Sequence, residues 1–526
     1  MRVSAFGKIM ARLNPEDCNR FVLADKAEAH VDGNVKGGVV AMRRVFLLGA
    51  ALVAATAQAS VENWLDACER ELDVMHGFVL RQHGRVIAEG TWKPFDTLNE
   101  PHMLYSHSKS FTSTAVGFLV DAGKLDLDER VIDILADKAP STPSENLRSL
   151  RVRDLLTMNM GASRTDAEGD DPGGDWAKAL LANTFDVKPG TRFRYDSGAT
   201  YLLSCIVERR SGRRLMDLLA ARLFEPIGIT KAWSTVSPTG TACGGWGMYM
   251  TTRELSLFGQ LYLQKGLWNG KRILSEEWVT MASARQTWSG AIGVTGEDGG
   301  DWRQGYGFQF WRCRHGFYRA DGANGQLTIV MPQHDAVLSV NAGLEDMQKE
   351  MNLIWQHILP VLEGREPVTA ATHARCAALS IPALAGVREG AEPFCNRTFA
   401  LSDNLHGIRS LLLQATDGGW TCRMVTSAGT FAIPVGFGDW RRGELRFSDA
   451  THETLRSLVG THRLASSAAV QPDGSLKLRM LFVNAPQKFD LTFKMTKDGP
   501  VISGRLIGLG GCKLASAGKK VALQAR

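Results

Sequence analysis

Strand patterns at both ends of residues 60–364 restrict the fold more than any other feature of the sequence. Two short strands around a tight turn are predicted over residues 77–92, and further strands over 306–341. The residues between them show mainly helical spacing of apolar side chains, and a last helix is predicted over 347–362. This order favours an α/β sandwich in which the first and last strands share one antiparallel sheet flanked by helices. The helical insertion would form a lobe, and we expect a cleft at its seam with the sheet.

A different pattern follows residue 364. Residues 365–375 are polar and rich in Ala and Thr, which is typical of a linker. Short strands then recur, and Pro472-Asp473-Gly474 is typical of a hairpin turn. The predicted strands are 410–414, 420–425, 429–435, 475–483 and 489–495. We therefore expect one domain over 60–364 and a small antiparallel β-barrel or sandwich over 376–526.

The N-terminal segment has the three regions of a secretory signal. Met42-Arg43-Arg44 is a charged region, an apolar run follows, and Ala57-Gln58-Ala59 is a small-x-small cleavage site. The apolar run is shorter than the ~20 residues that span a bilayer. We expect residues 1–59 to be a leader, with 1–41 a mis-assigned start and 42–59 a signal peptide; the alternative is a membrane tether. The protein would then be secreted or periplasmic, without a stable membrane span after cleavage.

The composition argues against several function classes. The 526 residues carry a formal net charge of +6, and they contain no basic run that would indicate nucleic-acid binding. None of the nine cysteines stands in a Cys-x-x-Cys pair and no His-x-x-x-His occurs, so we predict neither a metal nor a cofactor. Four cysteines lie in the C-terminal part, where export would allow three pairings. They are Cys376, Cys395, Cys422 and Cys512.

The stretch Ser106-His107-Ser108-Lys109 opens a predicted helix and carries candidate chemistry. Residues three apart share a helix face, so the Ser106 hydroxyl and the Lys109 amine can meet. A serine becomes a nucleophile when a neighbour takes its proton, and a buried lysine loses its charge readily. His107 lies about 100° further round the helix, so we expect it in the core or at the surface. By itself the tetrapeptide also fits an ordinary helix start, with Ser106 as N-cap and Lys109 in solvent.

Two other stretches can complete such a site. Tyr195-Asp196-Ser197 precedes a predicted helix, and a tyrosine beside a lysine ammonium can accept a proton and pass it on. Residues 319–326 are rich in small residues just before a strand, so a substrate can lie close to the backbone there. A backbone N–H near Ala323 can pair with that of Ser106 as an oxyanion hole. Taken singly, the first stretch also fits a tyrosine packed in a turn, and the second a Gly-rich hairpin.

Together the three stretches resemble the serine β-lactamase and penicillin-binding-protein superfamily. The likeness is greatest to the class C β-lactamase-like group, which includes D,D-peptidases, carboxylesterases and the nylon-oligomer hydrolase, and it covers about residues 75–362. The family pattern is Ser-x-x-Lys, then Tyr-x-Asn or Tyr-x-Ser, then Lys-Thr-Gly or a variant on the last sheet strand. In this chain the resemblance implies catalytic residues at Ser106, Lys109 and Tyr195. It implies substrate-binding residues at Ser197, Asp321, Gly322 and Ala323.

The resemblance also implies a role for each catalytic group. Ser106 would be the nucleophile that is acylated, and Lys109 would activate it. Lys109 would further hold Tyr195 near ionisation, so that Tyr195 acts as general acid and base. Ser197 would orient Lys109 or the substrate.

Two departures from the family pattern bear on the substrate. Ser197 stands where Asn is commoner, and Ala320 replaces the lysine of Lys-Thr-Gly. That lysine would bind a carboxylate, so its absence favours a neutral ester or amide over a β-lactam or a peptide C-terminus. Arg319 is the remaining candidate cation, although neighbouring strand residues face opposite sides.

We therefore predict an exported serine hydrolase that cleaves a small ester, amide or peptide-like molecule through an acyl-enzyme. The first alternative is a penicillin-binding D,D-peptidase or a β-lactamase acting on peptidoglycan or β-lactams. The second is a non-catalytic binding protein on the same fold.

Overall fold

The computed structural model describes residues 60–72, 74–163, 174–290, 300–365, 367–401, 407–416, 419–447, 459–497 and 499–507. The predicted leader at 1–59 and Cys512 lie outside the described residues. Among the described residues, no helix has both the length and the apolar character needed to cross a membrane.

A six-stranded antiparallel sheet joins the two ends of the first part of the chain. Its strands are β1 Met75–Gln82, β2 Arg85–Thr91, β8 Trp311–Arg312, β9 Tyr318–Gly322, β10 Gln326–Met331 and β11 Ala336–Ala342. The strand order is β2-β1-β11-β10-β9-β8. The N-terminal hairpin pairs directly with β11, where Phe78 lies opposite Val340. The predicted sharing of one sheet by the first and last strands is therefore confirmed.

Helices and smaller strands account for most of the remaining described residues up to 377. The smaller strands are β3 His102–Met103, β4 Trp233–Ser234, β5 Met248–Met250, β6 Leu267–Trp268 and β7 Lys271–Arg272. The helices are α1 Val61–Glu71, α2 Ser108–Asp121, α3 Val131–Ile134, α4 Glu145–Ser149, α5 Val152–Leu156, α6 Trp176–Leu181, α7 Ser197–Ser211, α8 Leu215–Leu219, α9 Glu225–Ile227, α10 Thr252–Leu263, α11 Glu276–Ser283, α12 Met347–Leu353, α13 Leu359–Leu362 and α14 Ala370–Ala377. π-helical turns connect α8 to α9 at Ala220–Phe224 and α12 to α13 at Ile354–Ile358.

The two faces of the sheet bury different apolar clusters, because successive side chains of a strand point to opposite sides. Leu327 and Ile329 of β10 pack with α1 and with the helical segment 347–362. Ala320 of β9 and Val330 of β10 pack with the helical lobe, around α2 and α7. Helices therefore cover both faces of the sheet, as expected for a sandwich. Strand β9 lies at the seam between the sheet and the helical lobe.

The segment from Tyr306 to Phe310 is not the strand that its apolar pattern predicts; only Trp311–Arg312 is a strand. Two hydroxyls of α2 donate hydrogen bonds to backbone carbonyls of this segment, which are therefore not available to a neighbouring strand. Ser110 Oγ donates to Gln309 O and Ser113 Oγ donates to Phe308 O, both at 2.7 Å. The segment is therefore a buried loop fastened to α2.

The C-terminal part forms one nine-stranded, mostly antiparallel sheet of barrel-like character. Its strands are β12 Arg397–Ala400, β13 Ser410–Thr416, β14 Gly419–Thr426, β15 Gly429–Phe437, β16 Arg441–Phe447, β17 Gly460–Val470, β18 Leu476–Phe482, β19 Lys488–Thr496 and β20 Gly499–Ile507. Alternating side chains enclose one apolar core; Trp420, Cys422 and Met424 of β14 all face inward. The predicted all-β C-terminal architecture is confirmed.

The segment predicted as a linker contains helix α14. Thr369 caps its N-terminus, and Thr372 Oγ1 donates to Glu62 Oε1 of α1 at 2.5 Å. Cys376 packs in the same cluster as α1. Among the described cysteines no disulfide forms, so Cys376, Cys395 and Cys422 are not joined to one another.

Glu350 of α12 is a buried carboxyl beside the turn between β9 and β10. It is 0% exposed, and neither side-chain oxygen has a hydrogen-bond partner among the described residues. Burial, with a smaller contribution from Asp321, raises its pKa to about 8. A Cβ on Gly325 would lie 2.8 Å from Glu350 Oε2, so the turn after β9 rests on this carboxyl. We infer that Glu350 is a neutral acid at pH 7.

We expect Glu350→Gln to change how stability depends on pH. The folded protein keeps the Glu350 proton up to a pH of about 8, whereas the unfolded chain loses it near pH 4.5. The stability that this proton provides is full below pH 4.5 and is lost as the pH rises through 8. Glutamine does not ionise, so Glu350→Gln does not lose this stability. Relative to the parent, its unfolding free energy should rise by on the order of 4 kcal/mol between pH 4.5 and pH 9.

Urea unfolding at pH 5 and at pH 9 measures this difference. Glu277→Gln, on the exposed face of α11, is the matched control and should follow the parent. A constant difference between Glu350→Gln and the parent at both pH values would contradict the prediction.

Candidate active site

A 3₁₀ turn, Tyr105–His107, leads from β3 into α2 and carries Ser106. Tyr105 has a φ of +49°, which is rare for a residue with a side chain. No side-chain capping bond closes the start of α2, and Ser106 Oγ instead contacts Lys109. The ordinary helix-cap interpretation of Ser106 therefore does not describe this turn. Ser106 is half-buried, so its side chain keeps some exposure to solvent.

The Lys109 amine contacts three oxygen atoms of the site. Its Nζ lies 3.0 Å from Ser106 Oγ, 3.0 Å from Ser197 Oγ and 2.6 Å from Gly245 O. The side chain is only 1% exposed, which rules out the alternative of a solvated lysine. Three acceptors match the three protons of an ammonium. A neutral amine in the same place can donate to Ser197 and Gly245 and turn its lone pair to Ser106.

Burial lowers the pKa of Lys109 to about 7, because the charged form loses its hydration. Asp196 and Asp321 oppose this shift by favouring the ammonium. At neutral pH both forms of Lys109 are present in comparable amounts. The amine can therefore accept a proton from Ser106 and release it again, as a general base requires.

Tyr195 lies beside Lys109 and Ser106. Its ring centroid is 4.9 Å from Lys109 Nζ. Burial raises the pKa of Tyr195, which the neighbouring Ser106 hydroxyl only partly offsets. The expectation that Lys109 holds this phenol near ionisation is therefore wrong. The phenol stays protonated, and Lys109 is the group ready to take a proton.

Tyr195 and Ser197 lie on either side of the residue that caps helix α7. Asp196 is the N-cap, and its Oδ1 accepts from the backbone N–H groups of Gly198 at 2.7 Å and Ala199 at 3.3 Å. Burial raises the pKa of Asp196 to about 7, although these hydrogen bonds and Lys109 oppose the shift. The cap fixes the residues on both sides of it, so Tyr195 and Ser197 point to Lys109 together.

Strand β9 borders the nucleophile through Gly322. A Cβ at this position would lie 2.0 Å from Leu104 O and 3.1 Å from His107 N, so only glycine allows the strand to lie against the 3₁₀ turn. The next residue, Ala323, is half-buried at the same edge. The structure therefore brings the predicted residue Gly322 against the turn that carries Ser106.

Asp321 and Arg319 form a buried ion pair on the other face of β9. Arg319 Nε donates to Asp321 Oδ2 at 2.7 Å, and the Arg319 guanidinium lies 4.4 Å from the centre of the Trp302 ring. Arg319 is 0% exposed, so it is not a free cation for a substrate carboxylate. Asp321 acts on the site at a distance, through its electrostatic effect on Lys109.

Two contributors to the site escaped sequence reasoning. Gly245 O accepts from Lys109, and a Cβ on Gly245 would lie 2.8 Å from Ser197 O. The cluster Gly244-Gly245-Trp246-Gly247 was the available signal, because closely spaced glycines mark a close backbone approach. Trp311 stacks on Tyr195 at 5.4 Å and 26°; nothing local in the sequence indicated this contact.

His107 lies in the core, one of the two locations expected from its position on the helix. It is 0% exposed, and its ring lies 5.9 Å from that of Phe111. Burial lowers its pKa to about 3, so it stays neutral. Among the described residues, no group of three or more His, Cys, Asp or Glu side chains is arranged to hold a metal ion.

Comparison with known proteins adds a family and several relatives. Residues 65–362 match the family model described as Beta-lactamase. The chain is 28% identical over 197 residues to a 6-aminohexanoate-dimer hydrolase from Paenarthrobacter ureafaciens, which covers 34% of this chain and 50% of that protein. It is 27% identical over 327 residues to penicillin-binding protein 4 of Amycolatopsis lactamdurans, covering 55% and 84%. The chain thus spans half the length of the first of these relatives.

Among solved structures, an octameric penicillin-binding protein homologue from Pyrococcus abyssi matches with a TM-score of 0.45 and 16% identity. The match covers 86% of this chain and 98% of that one.

Proposed function

This chain belongs to the β-lactamase family, and on that premise we propose that it is an exported serine hydrolase that cleaves a small, neutral ester or amide. The observation that carries the proposal is the cluster of Ser106, Lys109 and Tyr195 at the seam between sheet and lobe, in which Lys109 Nζ lies 3.0 Å from Ser106 Oγ and 4.9 Å from the centre of the Tyr195 ring. A hydroxyl, an amine near its pKa and a protonated phenol are the parts that acyl transfer to serine needs.

Acylation begins when Ser106 Oγ attacks the substrate carbonyl and its proton passes to the neutral amine of Lys109. The backbone N–H groups of Ser106 and Ala323 would hold the negative charge that develops on the carbonyl oxygen. Tyr195 donates its proton to the leaving alkoxide or amine, and the Lys109 ammonium replaces that proton. Water then attacks the acyl carbonyl as its proton passes to Lys109. Lys109 returns that proton to Ser106 Oγ as the bond between Ser106 Oγ and the acyl carbon breaks, and the acid is released.

The side chains of β9 favour a neutral substrate. Ala320 carries no charge, and Arg319 is buried in its pair with Asp321. Strand β9 therefore offers no cation to a carboxylate, which β-lactams and peptide C-termini both carry. Retention of Ser106, Lys109 and Tyr195 in one cluster argues against a binding protein without turnover. Export is part of the proposal and is supported by the charged, apolar and small-residue regions of 42–59.

We expect a fluorophosphonate probe to label the parent protein and to leave Ser106→Ala unlabelled, because the probe needs an activated serine. The parent should also hydrolyse p-nitrophenyl butyrate, and Ser106→Ala should lose this activity by a factor of ~10⁴ or more. Ser211→Ala is the matched control, since Ser211 lies at the far end of α7 from Ser197. Equal labelling of Ser106→Ala and the parent would refute the proposal.

A labelled penicillin separates the proposed function from the penicillin-binding alternative. Weak or absent acylation is expected, because β9 lacks the cation for the penicillin carboxylate. Stable, stoichiometric acylation of Ser106 would instead favour a penicillin-binding enzyme, as named for the Amycolatopsis relative.

A further inference from the structure

The C-terminal sheet reaches the segment that carries the nucleophile. The contact is made by residues 483–487, which join β18 to β19 and are called here the β18–β19 turn. Asn484 O accepts from Met103 N at 2.9 Å, three residues before Ser106. Pro486 O lies 2.7 Å from where a Cβ on Gly343 would be, so the turn also touches the end of β11. The β18–β19 turn therefore contacts both β3 and the residue that follows β11.

Gln487 makes a polar contact to the residue before the nucleophile. Its Nε2 donates to Tyr105 Oη. Both side chains are buried, at 2% and 4% exposed, and Tyr105 packs in the apolar cluster of the C-terminal sheet beside residues such as Phe489. The other amide atom, Gln487 Oε1, has no partner among the described residues. A buried amide left half satisfied is poorly suited to stability alone, since an apolar side chain would avoid that penalty.

Tyr105 is also the residue whose backbone needs to be held. Its φ of +49° places it in the left-handed region, which a residue with a side chain rarely adopts. Such a conformation persists only where the surroundings impose it. The next residue is Ser106, so the Tyr105 conformation determines the direction in which Ser106 enters α2.

We propose that Gln487 is a positioning residue for the nucleophile. By binding the Tyr105 hydroxyl, it keeps the Tyr105 backbone left-handed and directs Ser106 Oγ toward Lys109. The C-terminal sheet thereby takes part in assembling the active site. This inference rests on the proposed function, because it requires that Ser106 be the group that is acylated.

Fluorophosphonate labelling of the full chain tests the proposal with two readouts. The final amount of label counts folded sites, and the labelling rate constant reports how well Ser106 is placed. Gln487→Leu should reach the parent's final amount of label with a rate constant roughly tenfold lower, equivalent to about 1.4 kcal/mol. Tyr105→Phe removes the same hydrogen bond from the other side and should show the same loss. The double variant should be no slower than either single variant, because all three lack one and the same interaction.

Gln471→Leu, in the turn between β17 and β18, is the matched control and should label like the parent. A parent-like rate constant in Gln487→Leu would overturn the proposal. So would a lower final amount of label with an unchanged rate constant, which would show a structural role only. If Gln487→Leu fails to fold, Tyr105→Phe decides by the same two readouts. A parent that takes up no label would overturn the proposed function itself, a result distinct from any of these.

Discussion

Lys109→Met is expected to lower kcat/KM for a neutral p-nitrophenyl ester by about 10³, while the protein stays folded. Among the residues that the structure describes, Lys109 is the one side chain hydrogen-bonded to Ser106 that can accept its proton near neutral pH, since burial lowers its pKa to about 7. General-base catalysis of this kind contributes roughly 10²–10⁴. Methionine keeps an unbranched apolar chain in the buried space, so the loss should appear in the chemical step.

The pH profile of the parent checks the same assignment. Acylation needs neutral Lys109, so kcat/KM should rise with pH through about 7 and level off above it. Lys109→Arg should not restore activity, because a guanidinium stays charged at every accessible pH. A profile that is flat from pH 5.5 to 8.5, or near-parental activity in Lys109→Met, would show that another group takes the proton.

Gly322→Ala is expected to lower both the activity and the stability of the protein. The new Cβ would lie 2.0 Å from Leu104 O and 3.1 Å from His107 N, and both are backbone atoms on either side of the nucleophile. Either β9 or the 3₁₀ turn must move by about 1 Å, and a misplacement of that size lowers rates by roughly 10². The unfolding free energy should fall by about 1–3 kcal/mol, as overpacking of a tight core does.

Steady-state kinetics and urea unfolding measure the two effects separately. Gly364→Ala is the matched control, because its Cβ meets nothing within 4 Å although its φ is +76°. It should lose about 1 kcal/mol of stability and keep the parent's kcat/KM. If Gly322→Ala retains full kcat/KM, then β9 does not limit the geometry at Ser106.

Much of the fold follows from local patterns. Alternating apolar residues predicted most of the strands, and the order of elements predicted one shared antiparallel sheet, which the pairing of β1 with β11 confirms. The family match over residues 65–362 confirms the predicted resemblance and fold. The segment 306–310 was predicted wrongly, because hydroxyls of α2, distant in sequence, take its carbonyls.

The sequence by itself determined the Ser106–Lys109 contact, because residues three apart in a helical turn meet whatever surrounds them. Only the tertiary structure decided which form of Lys109 prevails, because its pKa depends on burial by elements far along the chain. Gly245 lies 136 residues from Lys109 and Gln487 lies 382 residues from Tyr105, yet each meets its partner directly. No local periodicity encodes such contacts, since they arise only when separate elements pack on a common core.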